Sequence, residues 1–366
     1  MSALAGEAMR KRWLGGQATM LQGRRRCRHW WTVARLLPLL IAPVVAASAW
    51  AQGGNADSKA LIERAKAEGT VTVYSSVAVD DMAVLSSAFE KKYGVKVRLW
   101  RGSSENIVQR SMVEARGGRF DVDVIETGAT AMEAMRREML LRQVETPAAA
   151  DLIPAAILPH REWIGTRFNV FAASYNTRLI KKDEMPRSYQ DLRDGKWKGK
   201  LGVEAEDSDW FGAVIGELGE EKGLALFRDI VAANGISVRK GHTLLANLVV
   251  SGEVPLALTT YAYKAEQLKS SGAPLDWLVI PPGIARFEGA GVARRAPHPN
   301  AALLFLAFLV TDAQELLLNR DFFPASRKTR ALPSGLSVTF LDPAKGLDEN
   351  QKWSKYYREI ITNRVR

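Results

Sequence analysis

Apolar and polar positions alternate along Thr70–Ser76 (TVTVYSS), where β-branched residues recur at a period of two, and this stretch predicts a strand. The period then lengthens. Met82, Leu85 and Phe89 share one helical face over Asp80–Tyr93, and Gly94 supplies the stop. Val95–Trp100 (VKVRLW) reads as a second strand. A helix follows through Ala115 with Val108, Met112 and Ala115 in register, Gly117 and Gly118 end it, and Asp121–Thr127 (DVDVIET) predicts a third strand. Strands alternating with helices need right-handed crossovers and predict a parallel sheet.

A long extended run, Thr166–Thr177 (TRFNVFAASYNT), opens a second unit of the same kind. Helices are expected over Phe211–Leu218, Lys222–Ala233 and His242–Ser251. A strand is expected at Val254–Thr260, a helix from Tyr261 to Ser271 and a strand at Leu275–Ile280. Beyond Pro281 and Pro282 an apolar helix is expected over Asn300–Asn319, interrupted by Asp312 and Glu315. Its apolar core, Ala301–Val310, falls short of the ~20 residues that span a bilayer and reads as a buried helix. A more polar tail ends in an expected surface helix, Glu349–Asn363. With no internal repeat and no low-complexity linker, extended crossing strands are expected to join the two units.

The chain has 366 residues, 47% of them hydrophobic, enough for a large core and about two domains. The first fifty residues read differently. Arg24, Arg25, Arg26, Arg28 and Arg35 precede the apolar run Leu36–Ala51, which ends in Ala49-Trp50-Ala51, the small-x-small pattern of a cleavable export signal with cleavage before Gln52. That segment carries eight basic residues against Glu7, so its removal lowers the net charge from +11 to about +4. Such a mild charge gives no nucleic-acid footprint. The single cysteine, Cys27, lies in the same segment, leaving the mature chain no disulfide and no thiolate. A soluble, exported protein of a bacterial periplasm is the expectation.

Catalytic motifs are missing. There is no G-x-S-x-G, the mature chain has only His160, His242 and His298, no H-E-x-x-H appears, and Gly195–Leu201 (GKWKGKL) lacks the spacing and the hydroxyl of a phosphate loop. Together these absences favour binding over catalysis. In open parallel sheets, ligands collect beyond the carboxyl ends of strands, at helix N-termini. That rule selects Tyr74, Ser75 and Ser76 after the first strand, Ser103 and Ser104 after the second, Glu126 and Thr127 after the third, and Tyr261 with Tyr263 after Val254–Thr260. Each hydroxyl has a competing use as a helix cap, and Tyr74 and Trp210 have one as core aromatics. If a helix starts at Tyr261, a two-residue step sets Tyr261 and Tyr263 about 200° apart, so only one of them, Tyr261, need face a cleft.

The words GTVTVYSS (69–76), FDVDVIET (120–127), SYNT (174–177), SYQDLRDGKWKGKL (188–201), SGEVPLALTTY (251–261) and APHPNAALLFLAFL (296–309) resemble the exported solute-binding proteins of ABC importers, the two-lobed type 2 group that includes ferric-iron binders. The resemblance implies an α/β fold of two lobes joined by crossing hinge strands. Lobe 1 would comprise residues 52–165 plus 280–325, lobe 2 residues 166–279, and a C-terminal helical tail residues 326–366. It implies a monomer that closes on one small solute and delivers it to a permease in the inner membrane. No cofactor is implied; ferric iron enters as a possible transported ligand, with Tyr261 and Glu126 as its candidate ligands. Ala262 stands where the group has a second tyrosine, and Val77, Ala78 and Val79 offer no donor after the first strand. The competing solute is a small organic anion or metal chelate held by hydroxyls, helix N-termini and Arg167, with Trp210 or a tyrosine against its apolar part. Two other readings stay open: a secreted enzyme using Glu126 or Asp209 as its acid or base, and a sensory module built from the same lobes.

Overall fold

The computed structural model describes residues 49–329 and 336–362. The expected export leader, residues 1–51, lies outside them apart from its last three residues. Helix α1 (Ala49–Glu68) leads into β1 (Thr70–Ser75), α2 (Val79–Tyr93), β2 (Lys96–Arg101), α3 (Ser104–Arg116), β3 (Val124–Gly128) and α4 (Ala129–Arg137). The second unit runs β4 (Ile164–Asn176), β5 (Leu201–Glu204), α5 (Ser208–Leu218), α6 (Glu220–Asn234), β6 (Ser237–Arg239), α7 (His242–Ser251), β7 (Leu256–Tyr261), α8 (Ala262–Ser270) and β8 (Leu275–Leu278). The chain then forms β9 (Ile284–Val292), α9 (Pro299–Leu309), α10 (Asp312–Leu318), β10 (Phe323–Pro324), β11 (Thr339–Phe340), α11 (Pro343–Asp348) and α12 (Asn350–Tyr357).

The strands order as β2-β1-β3-β9-β4-β7-β5-β6. Neighbours are parallel within β2-β1-β3 and within β7-β5-β6, as the βαβ pattern requires. Between these halves lies an antiparallel pair, β9 and β4, which joins β3 on one side and β7 on the other. All thirteen residues of β4 are buried: its first part pairs with β9 and its second with β7 and β8, so one strand serves both halves. A strand covered on both faces reads as a continuous apolar run, which is why Thr166–Thr177 was legible in the sequence.

Four expectations change. On α3 the buried positions are Ile107, Ser111 and Glu114, one residue off the expected Val108, Met112 and Ala115, because Glu114 turns inward to accept from the Tyr74 hydroxyl. The helix expected over Asn300–Asn319 is two helices, α9 and α10, bent by 47°, and among the described residues no single helix is long and apolar enough to cross a membrane. The last helix, expected only as a surface helix, keeps one exposed side with Gln351, Lys352 and Lys355 but buries Trp353 and Tyr357 of α12 against Phe211 of α5 on the other. Strand β9 was not expected at all, because Gly289, Gly291, Arg286 and Glu288 break its apolar pattern.

Candidate functional site

The carboxyl ends of β1, β2, β3, β5 and β7 open onto one cavity of about 670 Å³. Seven helices, α2, α3, α4, α5, α7, α8 and α12, begin around it. Ser103 caps α3, accepting from the Asn106 N–H at 3.3 Å, whereas Ala78 before α2 and Gly128 before α4 bring no side-chain acceptor. Ser76, Val77, Ala78, Ser104, Gly128 and Thr130 line this wall, so uncapped N–H groups and hydroxyls meet there, an arrangement that favours an anion.

The floor is a chain of buried charges laid across the central strands. Arg167 on β4 sits in register with Glu288 on β9, and Asn169 with Arg286. Arg167 donates to Glu126 on β3 and comes within 3.8 Å of Glu288. Asn169 Nδ2 donates to Glu288 at 2.9 Å, Arg286 Nη1 donates to Asp209 at 2.9 Å, and Arg286 Nη2 donates to the Tyr261 hydroxyl. The Nε of Arg167, the Nε of Arg286 and the Oδ1 of Asn169 are buried with no hydrogen-bond partner among the described residues. A buried polar atom left unmet costs about 1–3 kcal/mol, and of these Arg286 Nε has a charge nearby, the Glu288 carboxylate at 3.8 Å.

The opposite wall is acidic. Glu204, Asp207 and His242 each offer a ligating atom within 4.8 Å of the others, and His242 Nε2 stands 3.1 Å from both Asp207 oxygens. Burial pushes the Glu204 carboxyl above its ordinary pKa, and neighbouring Asp207 adds to the rise. Burial raises Glu288 in the same way, against the pull of Arg167 and Arg286. The hydroxyls of Tyr261 and Tyr263 are pushed up by burial too, with Arg286 opposing the first and Arg167 the second.

Tyr261 ends β7 in extended backbone and α8 begins at Ala262. Both tyrosines line the cavity nonetheless, which corrects the expectation that only one need face it. The ring planes of Tyr261 and Tyr263 lie 22° apart at 6.1 Å, because the change from strand to helix between them undoes the 200° step. Of the other expected residues, Ser76, Ser103, Ser104 and Arg167 line the cavity. Ser75, Glu126 and Thr127 stand one layer behind: Ser75 donates to Glu126 at 2.5 Å, and Thr127 shares a hydrogen bond with Ser104 at 2.8 Å. Two residues are corrected. Tyr74 is turned into the first half, its hydroxyl on Glu114 at 2.9 Å and its ring 5.0 Å from Trp100. Trp210 is core, packed against Tyr189 and Phe227 on the inner face of α5.

Sequence reasoning missed Asn169, Glu204, Asp207, Arg286 and Glu288 as site residues and treated His242 only as a scattered histidine. One signal was available. Arg167 with Asn169 and Arg286 with Glu288 are polar residues spaced by two inside apolar runs, and that spacing puts each pair on one face of its strand.

The profile of the bacterial extracellular solute-binding proteins matches residues 70–323. The chain belongs to this family. It is similar to the Fe(3+)-binding periplasmic protein of Serratia marcescens, 23% identical over 313 residues that make up 82% of this chain and 91% of the relative. It is also similar to the putative 2-aminoethylphosphonate-binding periplasmic protein of Salmonella typhi, 28% identical over 201 residues, 52% of this chain and 57% of the relative. Among solved structures, the iron-bound HitA of Pseudomonas aeruginosa superposes with a TM-score of 0.70 at 23% identity, covering 80% of this chain and 99% of that one. The fold is thus the two-lobed fold of periplasmic binding proteins, and this solute-binding protein is a carrier rather than an enzyme. Glu126, the acid of the enzyme reading, is held between Arg167 and Ser75.

Proposed function

We propose that this solute-binding protein captures a small solute bearing both an anionic head and a cationic centre, an aminoalkyl phosphonate in the first instance, and hands it to an ABC permease in the inner membrane. The division of the cavity carries the reading. The N-termini of α2, α3 and α4 with their serine and threonine hydroxyls stand on one side of it, Glu204, Asp207 and His242 on the other, and Arg167 and Arg286 on the floor between them. A phosphonate satisfies the first set and an ammonium the second. The name of the Salmonella typhi relative supports this choice of solute.

Residues 52–165 with 280–325 and residues 166–279 act as two lobes that close about β4 and β9, the strands that bear the buried charge chain. The charged floor therefore sits at the hinge itself. The export signal up to Ala51 places the mature chain, a monomer, in the periplasm.

Ferric iron with a bound anion is the second reading, supported by the names of the iron-binding relatives and by the triad Glu204, Asp207 and His242 beside Tyr261. Phenolate and carboxylate suit a hard trivalent ion, whose charge lowers a ligand's proton affinity. Tyr261, however, already accepts from Arg286, and Ala262 stands beside it where the iron-binding pattern has a second tyrosine.

Calorimetric titration with 2-aminoethylphosphonate, methylphosphonate, ethanolamine and ferric citrate separates the two readings. The zwitterion is expected to bind at least about tenfold tighter than either fragment, a gap of 1.4 kcal/mol. Visible absorbance on adding ferric citrate, with no heat from the phosphonate, would give the site to iron.

A further inference from the structure

The residues matched by the family profile end at 323, yet the cavity does not. Gly346, Leu347 and Asn350, from the segment after β10, line its mouth. This segment reaches both halves of the molecule. Helix α11 lies on α4, which follows β3: Arg137 Nη1 donates to Asp348 at 2.5 Å, and Thr130 Oγ1 stands 3.2 Å from where a Cβ on Gly346 would be. Helix α12 lies on α5, which follows β5. The Trp353 ring covers Gly212, where an added Cβ would stand 2.6 Å from its Cγ, and Tyr357 donates to the Glu204 carbonyl.

The start of the segment is pinned by β11, which pairs with β9 and sets the Phe340 ring 4.7 Å from Phe287, and beyond it the attachments of α11 and α12 differ in strength. Trp353 and Tyr357 are 7% and 2% exposed, a large buried aromatic area on α5. The Arg137 and Asp348 side chains are 37% and 61% exposed, and an ion pair of that kind contributes about 0–1 kcal/mol. The ion pair on α4 is the weaker of the two contacts.

We propose that residues 336–362 form a clasp over the cavity, anchored on α5 and releasable from α4, and that Leu347 and Asn350 on it face the captured solute and help select it. The selecting part rests on the solute reading above; the clasp does not. Asn350 suits the role: it is exposed, its Oδ1 accepts from Ser354 at 3.0 Å, and its amide N–H groups have no hydrogen-bond partner among the described residues. Because this wall lies beyond the stretch matched by the family profile, it gives a member of the family a way to change solutes while keeping the sheet and the charged floor.

The first test needs no solute. In the full chain carrying Cys27→Ser, Thr130→Cys and Gly346→Cys are joined by oxidation, and amide exchange is followed by mass spectrometry in peptides covering residues 128–134 and 343–348. Exchange in both is expected to slow at least about fivefold, the factor for 1 kcal/mol of local opening, and to recover with reductant. Asp348→Asn, an exposed change that leaves the fold intact, is expected to speed both. Equal exchange in the oxidised and reduced forms, or no response to Asp348→Asn, overturns the clasp. The second test replaces Leu347 with Trp, which crowds the mouth, and titrates 2-aminoethylphosphonate and ferric citrate. A loss of at least about tenfold in affinity for whichever binds, at unchanged thermal midpoint, is expected, and unchanged affinity overturns the selecting role. If neither solute binds the parent protein, the solute reading and the selecting role fail together while the exchange result still decides the clasp.

Discussion

The imidazole of His242 lies flat on the phenol of Tyr261, with ring centroids 3.8 Å apart and planes 11° from parallel. Tyr263 and then Phe322 continue the column, the last two rings 4.0 Å apart. The stack holds His242 edge-on to Asp207, so one aromatic column sets both the acidic wall and the tyrosine that meets Arg286. His242→Ala removes the ring and is expected to cost about 2 kcal/mol, the sum of a lost aromatic pair and a lost charged hydrogen bond. His242→Phe keeps only the ring and is expected to recover about 1 kcal/mol of this in urea unfolding. Equal stabilities for the two variants would show that the stack contributes nothing.

Arg101 at the end of β2 is exposed on the cavity rim and has no side-chain hydrogen-bond or ion-pair partner among the described residues. A rim charge acts on encounter more than on the bound state. Arg101→Ala is therefore expected to slow association of 2-aminoethylphosphonate by about 2–5-fold at low ionic strength, with much less effect at high salt where the field is screened. Stopped-flow association at two salt concentrations checks this, and a change confined to the dissociation rate would place Arg101 inside the bound complex instead.

The parallel halves, the long β4 and the strand-end loops that line the cavity were legible because each follows from a period in apolar positions that burial enforces. What stayed hidden has a common cause. Tyr74 lies at a strand end just as the cavity-lining residues do, but the inward turn of Glu114 on α3 gives its hydroxyl a partner in the core, and nothing local encodes that. Strand β9 carries Arg286 and Glu288 toward the cavity, so the charges that build the floor also erase its apolar signature. The acidic wall needs Glu204, Asp207 and His242 from a strand, a loop and a helix, brought together only by the fold.

Glu288 makes the charged floor sensitive to pH. Burial raises its pKa above that of the unfolded chain, so the folded state holds this proton more tightly. Its contribution to stability is present below the unfolded value near 4.5 and is lost as pH rises through the folded value. Glu288→Gln cannot ionise and escapes that loss. Its stability relative to the parent is expected to improve as the pH is raised from 4 to 8. Urea midpoints measured across that range check the sign, and a constant or reversed difference would mean that Arg167 and Arg286 stabilise the ionised carboxylate beyond the cost of burying it.

Gly289 sits between the charged pair of β9 and the core behind it. A Cβ there would stand 2.4 Å from Cε3 of Trp163, which is 2% exposed and backed by His160 at 5.9 Å between ring centroids. The Trp163 ring is rigid and buried, so Gly289→Ala must displace either that ring or β9. Overpacking of this kind costs about 1–3 kcal/mol, and the shift propagates one residue along the strand to Glu288, whose hydrogen bond from Asn169 is 2.9 Å long. The variant is expected to lose both stability and solute affinity. Gly291→Ala, at 2.8 Å from the Glu162 carbonyl but farther along β9 from the charges, is expected to lose stability with affinity largely kept. Thermal unfolding and titration on both variants separate the effects: if Gly289→Ala binds as tightly as the parent, the exact position of β9 does not set the charged floor.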